Sequence, residues 1–338
     1  MYRSINTRTT QTLNWTVLYC TLLAVLLWLP LLHASPATPI GGLITWQGDN
    51  QLVRNGTADK LHPIRPLLDK DIIKTGESSW VMLELYDATR LVVGPLSELK
   101  ISLRTKDNLH YLDLSLEKGL LRIVTGLACN RSVQDCVLNT PYGPLNLFST
   151  RADIWVCEDG CIDSAGAYEQ PPHMNIPAGR VVHVKGQLFR EEPFGIQKRL
   201  LSDDVIALSD ELVADRDSCA VIAFNDGSIL SLREGQRVYA SDPATRRGAS
   251  ACPDWAPEAG LDFRAMFVTR NIGTLSHGVF ARVVDGHVRL GSESAETGIG
   301  RNEAAYMGNG PPVRISPWPH NAVLEQTPDP STMYRRMD

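Results

Sequence analysis

The chain has 338 residues, of which 43% are hydrophobic and 21% are charged, and its formal net charge is −5 at pH 7. This balance is typical of a globular protein that is long enough for a sizeable core, and it excludes a disordered or fibrous chain. The acidic balance also argues against a nucleic-acid partner, because phosphates require a basic face.

The N-terminus, residues 1–37, predicts a signal peptide or a retained signal anchor. Arg3 and Arg8 lie in a segment without acidic residues, and an apolar run follows from Trp15 to Leu32. Small residues after the run favour cleavage, whereas its length approaches that of a membrane span. The remaining chain is therefore expected in the periplasm or secreted, or else anchored to the inner membrane and facing the periplasm. A membrane contact is expected only if the segment is retained.

The next predicted elements are β-strands. From Gly42 onward, short apolar runs such as SWVMLELYD, LKISLR and HYLDLSLEKG are separated by Gly, Asn, Asp and Pro. Such spacing predicts an all-β fold, built as antiparallel sandwich or rolled β units. LKISLR and HYLDLSLEKG alternate between apolar and polar residues, so one face of each strand should be buried.

Two stretches of the chain predict the same hairpin, ELYDATRLVVG at Glu84–Gly94 and AFNDGSILSL at Ala223–Leu232. Apolar alternation on both sides of an Asp turn is typical of a β-hairpin. The predicted repeat turns contain Asp87 in the first copy and Asp226, Gly227 and Ser228 in the second. Because the first copy has Ala88 where the second has glycine, we expect a wider loop or a bulge there.

The flanking sequence extends this repeat. The segment from Ser79 aligns without a gap on the segment from Ser218, and LLDKDII further upstream matches LLSDDVI with six extra residues in the second copy. Those extra residues fall in the acidic stretch ALSDELVADRD, which predicts a short helix through Leu208 and Leu212. We therefore predict an internal duplication, with a first β domain at 40–187, a second related unit at 188–310 and a Pro-rich extended tail at 311–338.

Six cysteines follow the N-terminal segment, and an even number in an exported chain predicts a disulfide framework. Cys157 and Cys161 flank a short Glu-Asp-Gly turn, while Cys129 and Cys136 bracket a polar loop, so each of these pairs is predicted to join locally. Cys219 and Cys252 remain as the third pair. The spacings are not those of a zinc site.

The sequence offers no catalytic motif, and we predict no enzyme activity, cofactor or metal. The histidines are scattered, and GTLSHG differs from the serine nucleophile motif in its spacing and lacks the following helix. The carboxylate pairs Asp69/Asp71 and Asp203/Asp204 stand directly before apolar strands. This position favours side chains that stabilise turns by bonding nearby amides.

LLDKDIIKTG at Leu67–Gly76, followed by a strand, an Asp turn and a strand, resembles the pattern of the FecR domain. NDGSILSL, LEKGLLRIVTG and VVDGHVRL are similar to other strands of that family, and the resemblance covers roughly Gly42 to Pro312. Ser149-Thr150 departs from the Gly-Thr pair of the family, whereas Gly273-Thr274 keeps it. The resemblance implies a β domain that senses or binds another envelope protein.

The best-known FecR proteins also carry a cytoplasmic N-terminal domain that controls a sigma factor. Here about fourteen residues precede the apolar run, so no such domain is expected. The leading hypothesis is a non-catalytic periplasmic or envelope module for sensing or protein binding. A module that binds glycan or peptidoglycan through its tryptophans is the first alternative, and a secreted hydrolase without a recognisable motif is the second.

Overall fold

The computed structural model describes residues 38–62, 64–106, 109–130, 135–158, 177–192, 195–242, 252, 255, 266–267, 277–292, 295–315, 324 and 327–331. Pro39–Asp338 is one compact unit. The predicted all-β fold is confirmed, since the described elements are strands apart from a short 3-10 helix at Leu127–Asn130 and isolated helical positions at 195, 266–267 and 324. The predicted signal segment lies outside the described residues.

The first seven strands form what we call the first module, residues 41–106. They are β1 (Gly41–Gln47), β2 (Asn50–Arg54), β3 (Thr57–Lys60), β4 (Ile72–Thr75), β5 (Trp80–Leu85), β6 (Arg90–Val93) and β7 (Glu98–Lys106). One set of neighbours runs in the order β1-β5-β6, and the other in the order β3-β2-β4-β7, with every pair antiparallel. The inner faces of both sets contribute Leu52, Ile73, Val81, Leu91 and Leu99 to one core.

Eight later strands form the second module, residues 179–239. They are β11 (Gly179–Lys185), β12 (Leu188–Glu192), β13 (Ile196–Leu200), β14 (Val205–Ile206), β15 (Glu211–Ala214), β16 (Cys219–Phe224), β17 (Ile229–Leu232) and β18 (Arg237–Tyr239). They make two four-stranded sheets, β14-β11-β16-β17 and β13-β12-β15-β18. This module has its own core, in which Val181, Leu188, Ile222 and Phe224 are buried.

The remaining strands, which we call the central strands, complete the large sheet of the first module. They are β8 (Leu109–Val124), β9 (Cys136–Thr140), β10 (Gly143–Cys157), β19 (Gly278–Ser292), β20 (Ala295–Ile299), β21 (Ala304–Met307) and β22 (Val313–Ile315). Each of the long strands β8, β10 and β19 pairs with different neighbours at its two ends. Two of them turn at a residue with positive φ that faces a close backbone neighbour, Gly119 in β8 and Gly286 in β19; only glycine adopts this conformation without strain.

The alternation predicted for LKISLR and HYLDLSLEKG is confirmed. Ile101 of β7 and Leu112, Leu114 and Leu116 of β8 are buried, while the residues between them are half-buried or exposed. A strand whose alternate side chains enter a core buries one row of apolar groups and leaves the other row in water. These residues belong to the largest buried cluster of the protein.

The two modules share a pairing scheme. β1 pairs with β5 with a bulge after Leu43, and β11 pairs with β16 with a bulge after Val181, 138 positions later. Each first strand is followed by a glycine with φ of 79°, Gly48 or Gly186, whose missing side chain makes room for a serine. These matches support the predicted duplication, which stays a hypothesis about the origin of the chain.

The predicted match of LLDKDII with LLSDDVI is wrong in its register. Leu67 bridges to Gly41, and the residue that takes this place beside Gly179 is Ile206, not Leu200. Asp210 then stands where Asp71 stands in the first module, and each accepts an amide hydrogen bond from the residue three positions earlier at 2.8 Å. The error arose because the same kind of aspartate turn also occurs at Asp204, which accepts from the Leu201 amide.

The short helix predicted through Leu208 and Leu212 is also wrong. The acidic stretch forms a turn at 208–209 and then strand β15, in which Leu212 is fully buried in the core of the second module. Pairing of β15 with both β12 and β18 decides the conformation, because contacts across a sheet outweigh weak local helix propensity.

The predicted boundaries differ from the observed ones. β11 lies before the predicted boundary at 187, yet it pairs with β16 of the second module, whereas β19 returns to pair with β10 along its full length. The segment predicted as an extended tail begins with β22, which pairs with β21. Further along, the carbonyl groups of Leu324 and Thr327 accept hydrogen bonds from Arg122 of β8.

Candidate functional site

The predicted repeat turns are structural. In the first module Asp87 is buried and accepts hydrogen bonds from the Thr89 amide at 3.0 Å and from the Thr89 hydroxyl at 2.8 Å. In the second module Asp226 is exposed and accepts from the Ser228 amide at 2.8 Å and its hydroxyl at 2.6 Å. Both carboxylates thus hold the backbone of their turns, as Asp side chains commonly do.

The wider loop expected at Ala88 is not observed. Leu85 and Thr89 close the first turn by a backbone hydrogen bond of 2.8 Å, and Phe224 and Ser228 close the second by one of 2.9 Å. Ala88 adopts a φ of 65°, close to the 87° of Gly227. The first turn therefore keeps the shape of the second at the cost of a strained alanine.

Two of the predicted disulfides are present. Cys129 is joined to Cys136, and Cys219 is joined to Cys252. Cys157 is also disulfide-bonded, but its predicted partner Cys161 lies outside the described residues. Disulfides persist in oxidising compartments, so the framework indicates an environment outside the cytoplasm. In the part of the chain that the structure describes, no helix is both long and apolar enough to cross a membrane.

The two members of the predicted carboxylate pair Asp69/Asp71 bind different partners. Asp71 is buried and accepts two hydrogen bonds from Arg54, at 2.8 and 2.7 Å, which raise the pKa of that guanidinium against the effect of its burial. Asp69 instead accepts from the Leu103 amide at 2.9 Å. Among the described residues, no three His, Cys, Asp or Glu side chains are grouped as metal ligands.

One open strand edge stands out in the first module. β1 pairs with β5 on one side, and on the other side its described neighbour is a single bridge from Gly41 to Leu67. Ile44 and Trp46, beyond that bridge, are 42% and 40% exposed. We call residues 44–47 the open edge, because an unpaired edge that carries large apolar side chains is a natural place for another strand to add.

The corresponding strand of the second module is covered. Val182, the counterpart of Ile44, packs in a small cluster with Val221 and Ile229 of the same sheet. Cys252 and Trp255 complete this cluster, and the disulfide to Cys219 fixes them to the sheet. The residues around Cys252 thus cover Val182, whereas the first module leaves its counterpart Ile44 exposed.

The tryptophans differ in their exposure. Trp155 is buried against Phe280, with ring centroids 5.8 Å apart, and Trp80 is half-buried and donates to the Gln47 side chain at 3.2 Å. Trp46 is the most exposed of the four that the structure describes, and Trp318 lies outside the described residues. A broad platform of several exposed rings is not found in the described part.

The second module meets the central strands through buried charges. Arg180 is fully buried, forms an ion pair with Glu303 and donates to the Asp203 carbonyl at 2.6 Å. Arg314 lies beside the same acids and donates to the Gly298 carbonyl at 2.7 Å. Burial and the nearby charge of Arg180 lower the pKa of Arg314.

A basic cleft opens along this contact, with a volume of about 290 Å³ that includes space open to solvent. We call it the seam cleft, and it is lined by Phe148, Ser149, Arg190, Lys198, Arg199, Leu200, Asp204, Val205, Gly286, His287 and Arg301. The space that water can occupy inside it is about 10 Å³, close to the room needed for a single water molecule.

His287 is the most buried polar group of the seam cleft, with 1% of its surface exposed. Its Nδ1 atom lies 2.9 Å from Asp204 Oδ1, while Asp204 Oδ2 accepts from the Leu201 amide at 2.7 Å. The Nε2 atom has no hydrogen-bond partner among the residues that the structure describes. Asp204 therefore fixes the ring and leaves Nε2 as the nitrogen that can meet a ligand.

Most cations of the seam cleft have an acidic partner. Arg190 lies within 3.8 Å of Asp210 and Asp285, Lys198 forms an ion pair with Asp285, and Arg301 lies 3.5 Å from Asp210. Arg199 differs, because its side chain forms no ion pair with any described residue and its Nε is buried without a partner.

Sequence reasoning missed both the seam cleft and the open edge. The scattered histidines gave no sign that His287 would be buried beside Asp204, with a Nε2 atom that has no hydrogen-bond partner among the described residues. The signal for the open edge is present in the sequence, as β1 contains Ile44 and Trp46 in an apolar run. The signal for the cleft is absent, because Arg199 and His287 are 88 positions apart.

Comparison with known proteins adds no identification. Neither a family model, nor a curated protein, nor a solved structure gives a significant match to the chain. The resemblance to the FecR domain accordingly stays a prediction that rests on the quoted strand and turn patterns.

Proposed function

We propose that the protein is a non-catalytic binding or sensing module of the bacterial envelope, FecR-like in type, that works in the periplasm or after secretion. Its partner is another envelope protein, which supplies an extended segment to the open edge. Apolar side chains of that segment would pack against Ile44 and Trp46. The backbone of the segment would form hydrogen bonds with the backbone of β1, as in strand addition.

The observation that carries this proposal is the contrast between two matching strands. Val182 of β11 is covered by the part of the chain that Cys252 anchors, whereas its counterpart Ile44 in β1 is exposed. Val184 packs against the core of the second module, whereas its counterpart Trp46 is exposed. Exposed apolar edges promote unwanted association. The exposed edge of β1 is therefore explained if a partner protein covers it, as the chain itself covers the matching strand β11.

The disulfides support the proposed location. The disulfide between Cys219 and Cys252 lies beside Val182, on the covered face of β11. Because such bonds are stable in oxidising compartments, the binding surface would be presented outside the cytoplasm, where other envelope proteins are available.

Site-specific photocrosslinking in living cells tests the proposal. A photoreactive amino acid at Ile44 should give one discrete protein adduct, identified by mass spectrometry, and the further substitution Trp46→Ser should remove it. The matched control carries the same group at Tyr239, which is exposed at 56% on β18. Equal adducts from both positions, or none from position 44, would contradict the proposal.

The glycan alternative has its own measurement. Trp46 is the most exposed of the described tryptophans, at 40%, and an exposed ring can stack on a sugar. Sedimentation with purified cell wall should leave the protein in the supernatant if the partner is a protein. Cosedimentation that Trp46→Ser abolishes would favour peptidoglycan instead.

A further inference from the structure

We propose that one end of the first module rests on the lipid surface of the membrane in which the predicted N-terminal anchor is inserted. We call it the Asp87 end and define it by three exposed apolar residues, Tyr86, Leu109 and Leu127. This contact goes beyond the proposed function, because the open edge at residues 44–47 is a different surface. It belongs to the form of the protein that retains the N-terminal segment.

The three side chains come from different elements that meet at the Asp87 turn. Tyr86 directly follows β5, and its ring centroid lies 5.8 Å from that of His110, the neighbour of Leu109 in β8. The Leu127 amide donates to the Asp87 carbonyl at 2.9 Å. In chain order, the exposed fractions of the three residues that define this end are 48%, 45% and 74%.

Leu127 is the most exposed of the three, and its backbone is held in place. The next residue, Ala128, donates its amide to Asp87 Oδ2 at 3.2 Å, and the disulfide between Cys129 and Cys136 follows. Single exposed apolar residues are common on protein surfaces. Several that are held together at one end of a module instead indicate a contact surface.

The length of the chain before β1 favours a lipid surface as the occupant. The apolar run ends at Leu32, and the first module begins at the Asp87 end, where the Ile40 carbonyl accepts from the Tyr86 amide at 2.9 Å. The eight residue steps from Leu32 to Ile40 span at most about 28 Å. A run that crosses a membrane therefore keeps the Asp87 end close to the lipid surface.

The chemistry of the three side chains suits this surface. Tyrosine is enriched at the boundary between membrane and water, because its ring is apolar and its hydroxyl group remains hydrated. Leu109 and Leu127 add apolar contact. Three such groups would bind a membrane weakly by themselves, but a covalent tether raises the local concentration of lipid and makes a weak contact sufficient. A soluble partner would gain no such advantage at this end.

Fluorescence of the full-length protein in vesicles of phosphatidylethanolamine and phosphatidylglycerol tests the contact. A polarity-sensitive fluorescent amino acid replaces Leu127, and the lipid headgroups carry a quencher. The matched control has the same group at Leu96, which is 58% exposed and follows β6 at the opposite end of the module. Lipid quenching should be several-fold stronger at position 127, and emission there should shift to shorter wavelength.

A substitution at a second position provides an independent readout. Leu109→Ser, with the fluorescent group at position 127, should shift the balance between membrane contact and free module about tenfold toward the free state, because a leucine loses its apolar contact. Leu96→Ser removes an exposed leucine from the opposite end and should leave the quenching at position 127 unchanged. Both leucines are exposed, so neither substitution removes a core residue.

Three results would overturn the proposal. Equal lipid quenching at positions 127 and 96 would show that the anchored module has no preferred end toward the membrane. Equal quenching in Leu109→Ser and Leu96→Ser would show that the apolar residues of the Asp87 end do not hold it there. An emission shift at position 127 that occurs without lipid quenching and increases with protein density would mean that a second copy of the chain covers this end.

Discussion

The two modules have the same strand framework but different surroundings. The first continues from β6 and β7 into the long strand β8 and leaves the edge of β1 open. In the second, β17 and β18 have no such continuation among the described strands, and the outer face of β11 is covered around Cys252 and Trp255. The shared features define the common framework, whereas the differences lie in which apolar side chains remain exposed.

The same comparison separates structural glycines and aspartates from candidate binding residues. Gly48 and Gly186, or Asp87 and Asp226, recur at matching places and make matching contacts. Ile44 and Trp46 have counterparts of similar character in Val182 and Val184, but with a different exposure. Substitutions at matched positions can therefore test which similarities are real.

The largest effect is expected from the disulfide that covers the second module. Cys219→Ala combined with Cys252→Ala should lower the free energy of unfolding by about 3–4 kcal/mol, because the bond closes a loop with a sequence separation of 33. It should also increase the binding of a hydrophobic dye, since Val182 and Val221 lose their cover. Chemical denaturation without reductant and dye fluorescence measure these changes.

The control for this experiment is the double alanine variant of Cys129 and Cys136. Its loop is shorter, with a separation of 7, so we expect a smaller loss of about 2 kcal/mol. The dye should bind it as it binds the wild type. Equal dye binding by the two variants would mean that the disulfide between Cys219 and Cys252 does not hold a cover over Val182 and Val221.

A somewhat smaller effect is expected at the matched glycines. Gly48→Ala and Gly186→Ala should each lower the free energy of unfolding by about 2 kcal/mol or more, because φ is 79° at both and a new Cβ would collide with Ser79 or Ser218. Thermal or chemical unfolding measures both. If one variant were neutral, the shared framework would fail at this turn, whereas Gly56→Ala controls for positive φ without a collision.

The two Asp turns offer a pair of substitutions with opposite signs. Ala88→Gly should stabilise the protein by about 0.5–1 kcal/mol, because Ala88 is exposed and has a φ of 65°. Gly227→Ala should destabilise it by about 1 kcal/mol for the same reason. Denaturation of both variants checks the signs, and destabilisation by Ala88→Gly would contradict the view that the alanine is strained.

Sequence patterns predicted what is local in this fold. The Asp226-Gly227-Ser228 turn, the buried row of β8 and the bond between Cys129 and Cys136 each depend on residues close together in the chain. Alternation along a strand and turn chemistry are visible at this range.

The remainder depends on contacts between distant segments. The pairing of β10 with β19 places Phe148 opposite His287, and the packing of the second module then brings Arg199 to the same cleft. Neither contact has a spacing that a single sequence reveals. The exposure of Ile44 cannot be predicted from the sequence either, because it depends on which distant segments pack over β1.

The smallest expected effect concerns the C-terminal segment, which packs on the central strands as the Cys252 segment packs on the second module. Asp329 forms an ion pair with Arg151; burial opposes ionisation, but bonds from Ser331 and the charge of Arg151 lower the pKa of the carboxyl from 3.8. The ion pair therefore stabilises the fold above about pH 4, and this contribution is lost as the pH falls through the lower folded-state pKa. Asp329→Asn should cost about 0.5 kcal/mol at pH 7, since the group is partly exposed, and little at pH 2. Denaturation of both proteins at the two pH values measures the difference, and an equal cost at both would mean that the charge of Asp329 does not hold this segment in place.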